Sequence, residues 1–280
     1  MIYIILGTKG QFIKMFPLME LLDKNKIPYK FIHTCQHYHI IEKSIERLRT
    51  RKPDVYLTLK KEDLRNIWEM LLWIPKVLWN ARKLSIKPQD YVLVHGNAES
   101  ALLGLIIGKY FRAKIIHVEA GTRSGNLLEP FPEEIISILV DKFSDINFCP
   151  YQGDADNLKN RKFVFTTKGN TVFDSVKRAL SIMPSKEVAE IIRSKYVVFT
   201  TLRKENLYIR KRRNAILNIL EEFLGKGFKV VWPMHAVTAH ELKTKGLLKR
   251  VGKLEKEYNL RVYPFFDYID FMHLVGHSEF

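Results

Sequence analysis

Cysteine is nearly absent from this chain: Cys35 and Cys149 are the only two in 280 residues, and they form no C-x-x-C pair. Two thiols are too few for a disulfide scaffold, so a reducing, cytoplasmic compartment is the simplest reading. Long apolar runs are also missing. The longest internal one, residues 101–108, is far short of the ~18 residues a membrane span needs. Residues 1–6 are apolar but lack a basic leader and stop at Gly7, which suits a first core strand rather than a signal peptide. G-x-G-x-x-G, G-x-x-x-x-G-K-[ST], H-E-x-x-H and G-x-S-x-G do not occur, which removes the usual dinucleotide, P-loop, zincin and serine-hydrolase signatures. The pairs His37/His39 and His235/His240 have no carboxylate or thiol at metal-ligand spacing, so neither a metal nor a cofactor is expected.

Acid is in short supply. Asp and Glu number 30 against 46 Lys and Arg, a formal charge of +16. Residues 201–260 alone hold 14 basic and 6 acidic side chains, half of the excess. Such a field favours anionic partners. The densest cluster, Arg210-Lys211-Arg212-Arg213, falls in a predicted helix without the interleaved aromatics of a single-strand groove. It is expected to lie outside and serve solubility, and neither nucleic acid nor membrane is the expected partner.

What remains is a globular composition, 46% hydrophobic and 12% aromatic, long enough for two modest domains. Short β-rich runs alternate with longer helical stretches: strands over 2–6, 29–34, 91–94, 115–118, 146–148 and 163–166, and helices over 10–24, 39–48, 98–111 and 132–143. This is the rhythm of βαβ units, and it predicts a parallel sheet with helices on both faces. Residues 63–84 read as one long amphipathic helix, broken or bent near Pro75, with Trp68, Trp73 and Trp79 as core. The same rhythm resumes from residue 196, with a strand over 229–232, a single helix over 239–258, a strand over 260–262 and a short helix over 268–275. The expected organisation is α/β: a Rossmann-like domain over 1–167, a connecting helix and linker over 168–195, and a partial Rossmann-like domain over 196–280. These would be doubly wound parallel sheets facing a cleft, with the second cut short as another strand opens at 278–280.

Polar residues concentrate where strands hand over to helices, the edge at which open parallel sheets bind ligands. Strand one ends in Gly7-Thr8-Lys9-Gly10-Gln11 with Lys14 beyond, a turn able to present N–H groups and positive charge to an anion. Asn97 follows a later strand. Glu119 follows the next, and Glu133 opens the helix after it. Two carboxylates approaching one rim, within reach of one sugar-sized volume, suit proton abstraction and return. Glu134 needs no role beyond a favourable first-turn charge.

The segments GTKGQFIKMFPL (7–18), CQH (35–37), VHGN (94–97), HVEAGTRSGN (117–126), PFPEE (130–134), GNTVFDS (169–175), FTTLRKEN (199–206), WPMH (232–235) and DYIDF (267–271) occur in this order. Together they resemble the non-hydrolysing UDP-N-acetylglucosamine 2-epimerases. The resemblance implies two domains like those of B-type glycosyltransferases and a UDP-sugar in the cleft. It implies inversion at C2 by eliminating UDP to a 2-acetamidoglucal and adding it back. It assigns Glu119, Glu133 and, where the family has Asp, Asn97 to catalysis. Lys9, Lys14, Arg203 and Phe271 fall to the substrate; Gln36, His37 and His235 fall to the substrate or to a second, regulatory UDP-sugar. A homodimer is admitted among the partners. The chain departs from the family pattern at Lys9, Asn97 and Leu202, and a family Ser-Gly-Gly segment with a ribose-gripping carboxylate is not found before Phe280. An amide cannot act as a base, so a diverged relative of low activity is the alternative, and a glycosyltransferase on the same fold a further one.

Overall fold

The computed structural model describes residues 1–58, 63–64, 67–127, 131–201 and 204–279. The chain divides into two compact units, Met1–Arg178 and Ala179–Phe280.

The first unit runs β1 (Ile2–Leu6), α1 (Lys9–Lys24), β2 (Tyr29–His33), α2 (Tyr38–Leu48), β3 (Val55–Tyr56), α3 (Ile67–Ala81), β4 (Tyr91–His95), α4 (Glu99–Tyr110), β5 (Lys114–Val118), α5 (Glu133–Phe143), β6 (Ile146–Cys149), α6 (Gln152–Asp156) and β7 (Val164–Thr166). It ends within α7 (Val172–Leu180). The strands β1 and β4 are almost continuously apolar and buried, as strands covered by helices on both faces must be. The sheet order is β3-β2-β1-β4-β5-β6-β7, and every pairing is parallel. Strand order reverses between β1 and β4, so the loops leaving their carboxyl ends frame a topological switch point, where this architecture leaves a crevice. The register places Leu6 opposite His33 and His95 opposite Val118. The turns after β1, β2, β4 and β5 therefore emerge at one level.

The second unit contains α8 (Lys186–Ile191), β8 (Val197–Val198), α9 (Lys204–Tyr208), α10 (Arg210–Gly225), β9 (Val230–Met234), α11 (Ala236–Thr244), α12 (Leu248–Glu257), β10 (Leu260–Pro264) and α13 (Tyr268–Gly276). Its parallel sheet has the order β10-β9-β8. Its core gathers Trp232, Leu220, Leu242 and Leu260. Among the described residues 278–279 form no strand, but Glu279 N–H donates to the Tyr196 carbonyl and Val198 N–H to Ser278 Oγ.

Four expectations need correction. First, α3 runs unbroken across Pro75, because Trp73, Val77 and Ala81 recur on one face and are buried. Second, only Trp73 of its three tryptophans is core, with its indole N–H donating to the Thr34 carbonyl. Trp68 and Trp79 are 73% and 62% exposed. Third, the helix expected over 239–258 is two helices. Gly246 adopts φ +70 and Leu247 N–H reaches back to the Leu242 carbonyl, a left-handed stop that a β-carbon would disfavour. Fourth, Arg213 does not lie outside with Arg210, Lys211 and Arg212. It is buried, and its Nη1 donates to the carbonyls of Leu207 (2.8 Å) and Tyr208 (3.4 Å), satisfying the end of α9.

Candidate active site at the carboxyl edge of the first sheet

Thr8 caps α1 in a capping box with Gln11. Gln11 does more than cap. Its Oε1 accepts from Gly7 N–H (3.0 Å), Thr8 N–H (3.2 Å) and Ser100 Oγ (2.6 Å), while its Nε2 donates to the His95 carbonyl (2.8 Å). One buried amide thus ties the β1 turn to the end of β4. Four of the turn's N–H groups have internal partners, since Lys9 N–H goes to His37 Nδ1 and Gln11 N–H to Thr8 Oγ1 beside the two that Gln11 accepts. Neighbouring side chains satisfy those four.

Glu119, the first residue after β5, sits at φ +65. Lys14 Nζ, from the second turn of α1, lies 2.6 and 2.7 Å from its two carboxylate oxygens. Asn170 Nδ2, from the turn before α7, donates to Oε1, and His95 Nε2 stands 3.4 Å from Oε2. Gly96 passes so close that a β-carbon there would lie 3.4 Å from Oε2. Burial opposes ionisation of Glu119, but His95, Lys14 and Asn170 outweigh it and hold the carboxyl below its usual range. Burial also drives the His95 imidazole down to about 4, so its charge acts on Glu119 only in the acid range; near neutrality it is an uncharged dipole and Lys14 supplies the compensating charge. Glu119 and Asn170 line a small hollow of about 30 Å³ with Val118, Phe148 and Thr167. A larger one of about 570 Å³ adjoins it, lined by Tyr151, Lys168, Asn170 and Phe173 among others.

The remaining expected residues are less tightly gathered. Asn97 is exposed in the β4–α4 turn. Glu133 is the first residue of α5, on the same edge of the sheet. It lines neither hollow, and its Oε2 is buried without a hydrogen-bond partner among the described residues. The single volume expected to be shared by Glu119 and Glu133 is therefore not one of these two hollows. Glu134, given no role beyond its helix position, is buried and accepts Ser124 N–H at 2.8 Å. Gln36 donates to Glu99 at 2.8 Å, and His37 N–H bonds the Gly7 carbonyl. In the second unit His235 caps α11 by accepting Val237 N–H, and its ring stands 5.4 Å from Phe265, which in turn is 5.1 Å from Phe271. Arg203 and Leu202 lie outside the described residues. Sequence reasoning missed Gln11, His95 and Asn170. All three lie in quoted segments, GTKGQFIKMFPL, VHGN and GNTVFDS, which was their available signal.

Three comparisons bear on this geometry. The sequence model described as UDP-N-acetylglucosamine 2-epimerase matches residues 19–280. The UDP-N-acetylglucosamine 2-epimerase of Methanococcus maripaludis is 30% identical over 293 residues, taking in 99% of this chain and 75% of the relative. The UDP-2,3-diacetamido-2,3-dideoxy-D-glucuronate 2-epimerase of Pseudomonas aeruginosa is 31% identical over 265 residues, taking in 90% of this chain and 70% of that one. The crystal structure of Methanocaldococcus jannaschii UDP-GlcNAc 2-epimerase in complex with UDP-GlcNAc and UDP matches with a TM-score of 0.81 at 26% identity, covering 99% of this chain and 77% of that one.

Stability should depend on pH in a defined direction. His33 and His95 are buried, and burial lowers both from 6.5 to about 4. In the unfolded chain each binds a proton near 6.5, while the folded form resists until about 4. Their contribution is therefore complete above 6.5 and lost as pH falls from 6.5 towards 4. Glu119, held below its usual range, adds to the loss on the acid side. The urea midpoint should drop across this window, and His95→Gln should flatten the drop. A midpoint constant between pH 6.5 and 4 would contradict the neutral, buried imidazoles.

Proposed function

Because the chain belongs to the UDP-N-acetylglucosamine 2-epimerase family, we propose that it interconverts UDP-GlcNAc and UDP-ManNAc by eliminating and re-adding UDP. The observation that carries this reading is the half-buried, ionised Glu119 gripped by Lys14 at the switch point of the first sheet. The C2 hydrogen is removed as a proton, the C1–O bond to the diphosphate breaks, and a C1=C2 double bond forms. Return protonates C2 on the opposite face while UDP re-adds at C1. A carboxylate is the right base for the first step, and cations stabilise the departing diphosphate. Lys14 serves both needs. While it grips Glu119 it weakens the base. A diphosphate competes for the ammonium, and Glu119, left with its burial, gains basicity as substrate arrives.

Glu133 is proposed as the second carboxylate, delivering or taking the proton on the other face. Lys9 and Arg203 are assigned to the diphosphate, and Phe271 to the substrate in the second unit. Gln36, His37 and His235 are assigned to the substrate or to a regulatory UDP-sugar. Asn97 stands where the family has a carboxylate, and this favours a second reading, a relative that binds the nucleotide sugar with little turnover. The two free, buried thiols suit work in the reducing cytoplasm. Among the described residues no helix is long and apolar enough to cross a membrane.

The homodimer belongs to the same proposal. Trp68, Leu72 and Trp79 of α3 and Ile106 and Tyr110 of α4 are exposed, and an apolar groove of about 360 Å³ runs between the two helices. An exposed apolar face of this kind marks an interaction site, and a second copy of the chain would cover it.

Two measurements test these assignments. In D2O, UDP-GlcNAc should acquire deuterium at C2 when the chain is present. Glu119→Gln should slow this by at least ~10²-fold, as for loss of a positioned acid–base group, and Asn97→Asp should speed it. UDP binding without any exchange would favour the second reading. In sedimentation equilibrium the chain should run as a dimer and Trp79→Glu as a monomer; a monomeric parent would remove the dimer.

A further inference from the structure

His117 is the penultimate residue of β5, two positions before Glu119, and it is fully buried. Its Nδ1 is 2.7 Å from Asp141 Oδ1 on α5, and its Nε2 is 3.0 Å from the Gly96 carbonyl in the turn after β4. The Gly96 carbonyl can only accept. The Asp141 carboxylate is in the same position: both its oxygens receive Gly121 N–H at 3.2 Å, and Oδ2 meets Arg123 Nη1 at 2.6 Å. A neutral imidazole carries one N–H and would turn a bare lone pair on one of these acceptors. Moving the proton to Asp141 Oδ1 would keep the number of hydrogen bonds but discharge the carboxylate whose other oxygen stands 2.6 Å from the Arg123 guanidinium. A ring protonated on both nitrogens satisfies every partner and keeps that ion pair.

The surroundings agree. Burial opposes ionisation of Asp141, yet His117 and Arg123 outweigh it and hold the carboxyl below its usual range. The other titratable groups near this cluster include His95 from β4, Cys149 from β6 and Asp154 from α6. Burial keeps the first uncharged near neutrality, and it raises the second to about 11, helped by Asp141 and Asp154. Neither His95 nor Cys149 supplies a competing charge.

Asp141 therefore grips the Glu119 turn on both sides, at His117 before it and at Gly121 and Arg123 after it. Gly121 has no latitude: it sits at φ +80, and a β-carbon there would lie 2.1 Å from the Asp154 carbonyl oxygen. Through His117 the same carboxylate also fixes the Gly96 carbonyl, in the turn that backs Glu119 and carries Asn97. We propose that Asp141 is the positioning residue of the Glu119 turn, and that it acts by holding His117 as a buried imidazolium that ties α5 to the β4–α4 turn.

The proposal rests on the reading that Glu119 moves the C2 proton, and the test separates the two. Imidazole nitrogen NMR on the whole chain, with His117 identified by loss of its signals in His117→Gln, should show both nitrogens protonated near neutral pH. Asp141→Asn, of the same shape but without charge, should return His117 to a single N–H. It should also slow C2 exchange by about 10²-fold, the cost of a displaced catalytic group, while leaving KM for UDP-GlcNAc within about threefold, since little ground-state binding is lost. Asp141→Glu should recover part of both signals. A singly protonated His117 in the parent chain, or unchanged exchange in Asp141→Asn, overturns the proposal. A parent that exchanges no C2 proton removes the catalytic reading, and the nitrogen spectrum then decides alone whether Asp141 holds an imidazolium.

Discussion

A carboxylate placed where water is scarce must find charge or hydrogen bonds, or it gives up its ionisation. Glu119 is such a group, and the neighbourhood is arranged around keeping it charged. Lys14 reaches it from α1, 105 residues earlier in the chain, and Asn170 from 51 residues later. Bringing those three together requires β1 and β5 to stand in one sheet with β4 between them, in the register observed. Gly96 leaves room for the carboxylate, and His95 fills the space behind it as a neutral ring.

This constraint also explains the polar work beneath the rim. Gln11 holds the β1 turn to the end of β4, and Asp141 holds the end of β5 and its turn to α5. Both side chains are buried, and each satisfies several partners at once, so a conservative change at either leaves unpaired groups in a dry place. Glutamate in place of Gln11, for example, would lose the N–H that meets the His95 carbonyl. The glycine turn after β1 is accordingly a structural joint.

Period and spacing carried the architecture a long way. Apolar runs of strand length between amphipathic stretches placed nearly every strand of both sheets to within two residues, and the position of Glu119 just past β5 followed from the same count. What the pattern could not supply were pairings between distant residues. Gln11 and His95 meet across 84 positions, and Arg213 turns inward because the carbonyls ending α9 are there to be met. Nothing in the local sequence separates Arg213 from its three basic neighbours. Trp68 and Trp79 look like Trp73 by residue type, and only the sheet beneath α3 distinguishes the buried face from the open one. The break at Gly246 was open to view, since a glycine amid a long helical pattern is a stop signal.

The most direct test of the account is the titration of Glu119 itself, followed through its carboxyl carbon by NMR in the free chain, in Lys14→Met and with saturating UDP. The account predicts an ionisation below the ordinary carboxylate range in the free chain, moving upward when Lys14 is removed or drawn to the diphosphate. A Glu119 that titrates at or above the ordinary carboxylate value, indifferent to Lys14 and to UDP, would contradict it.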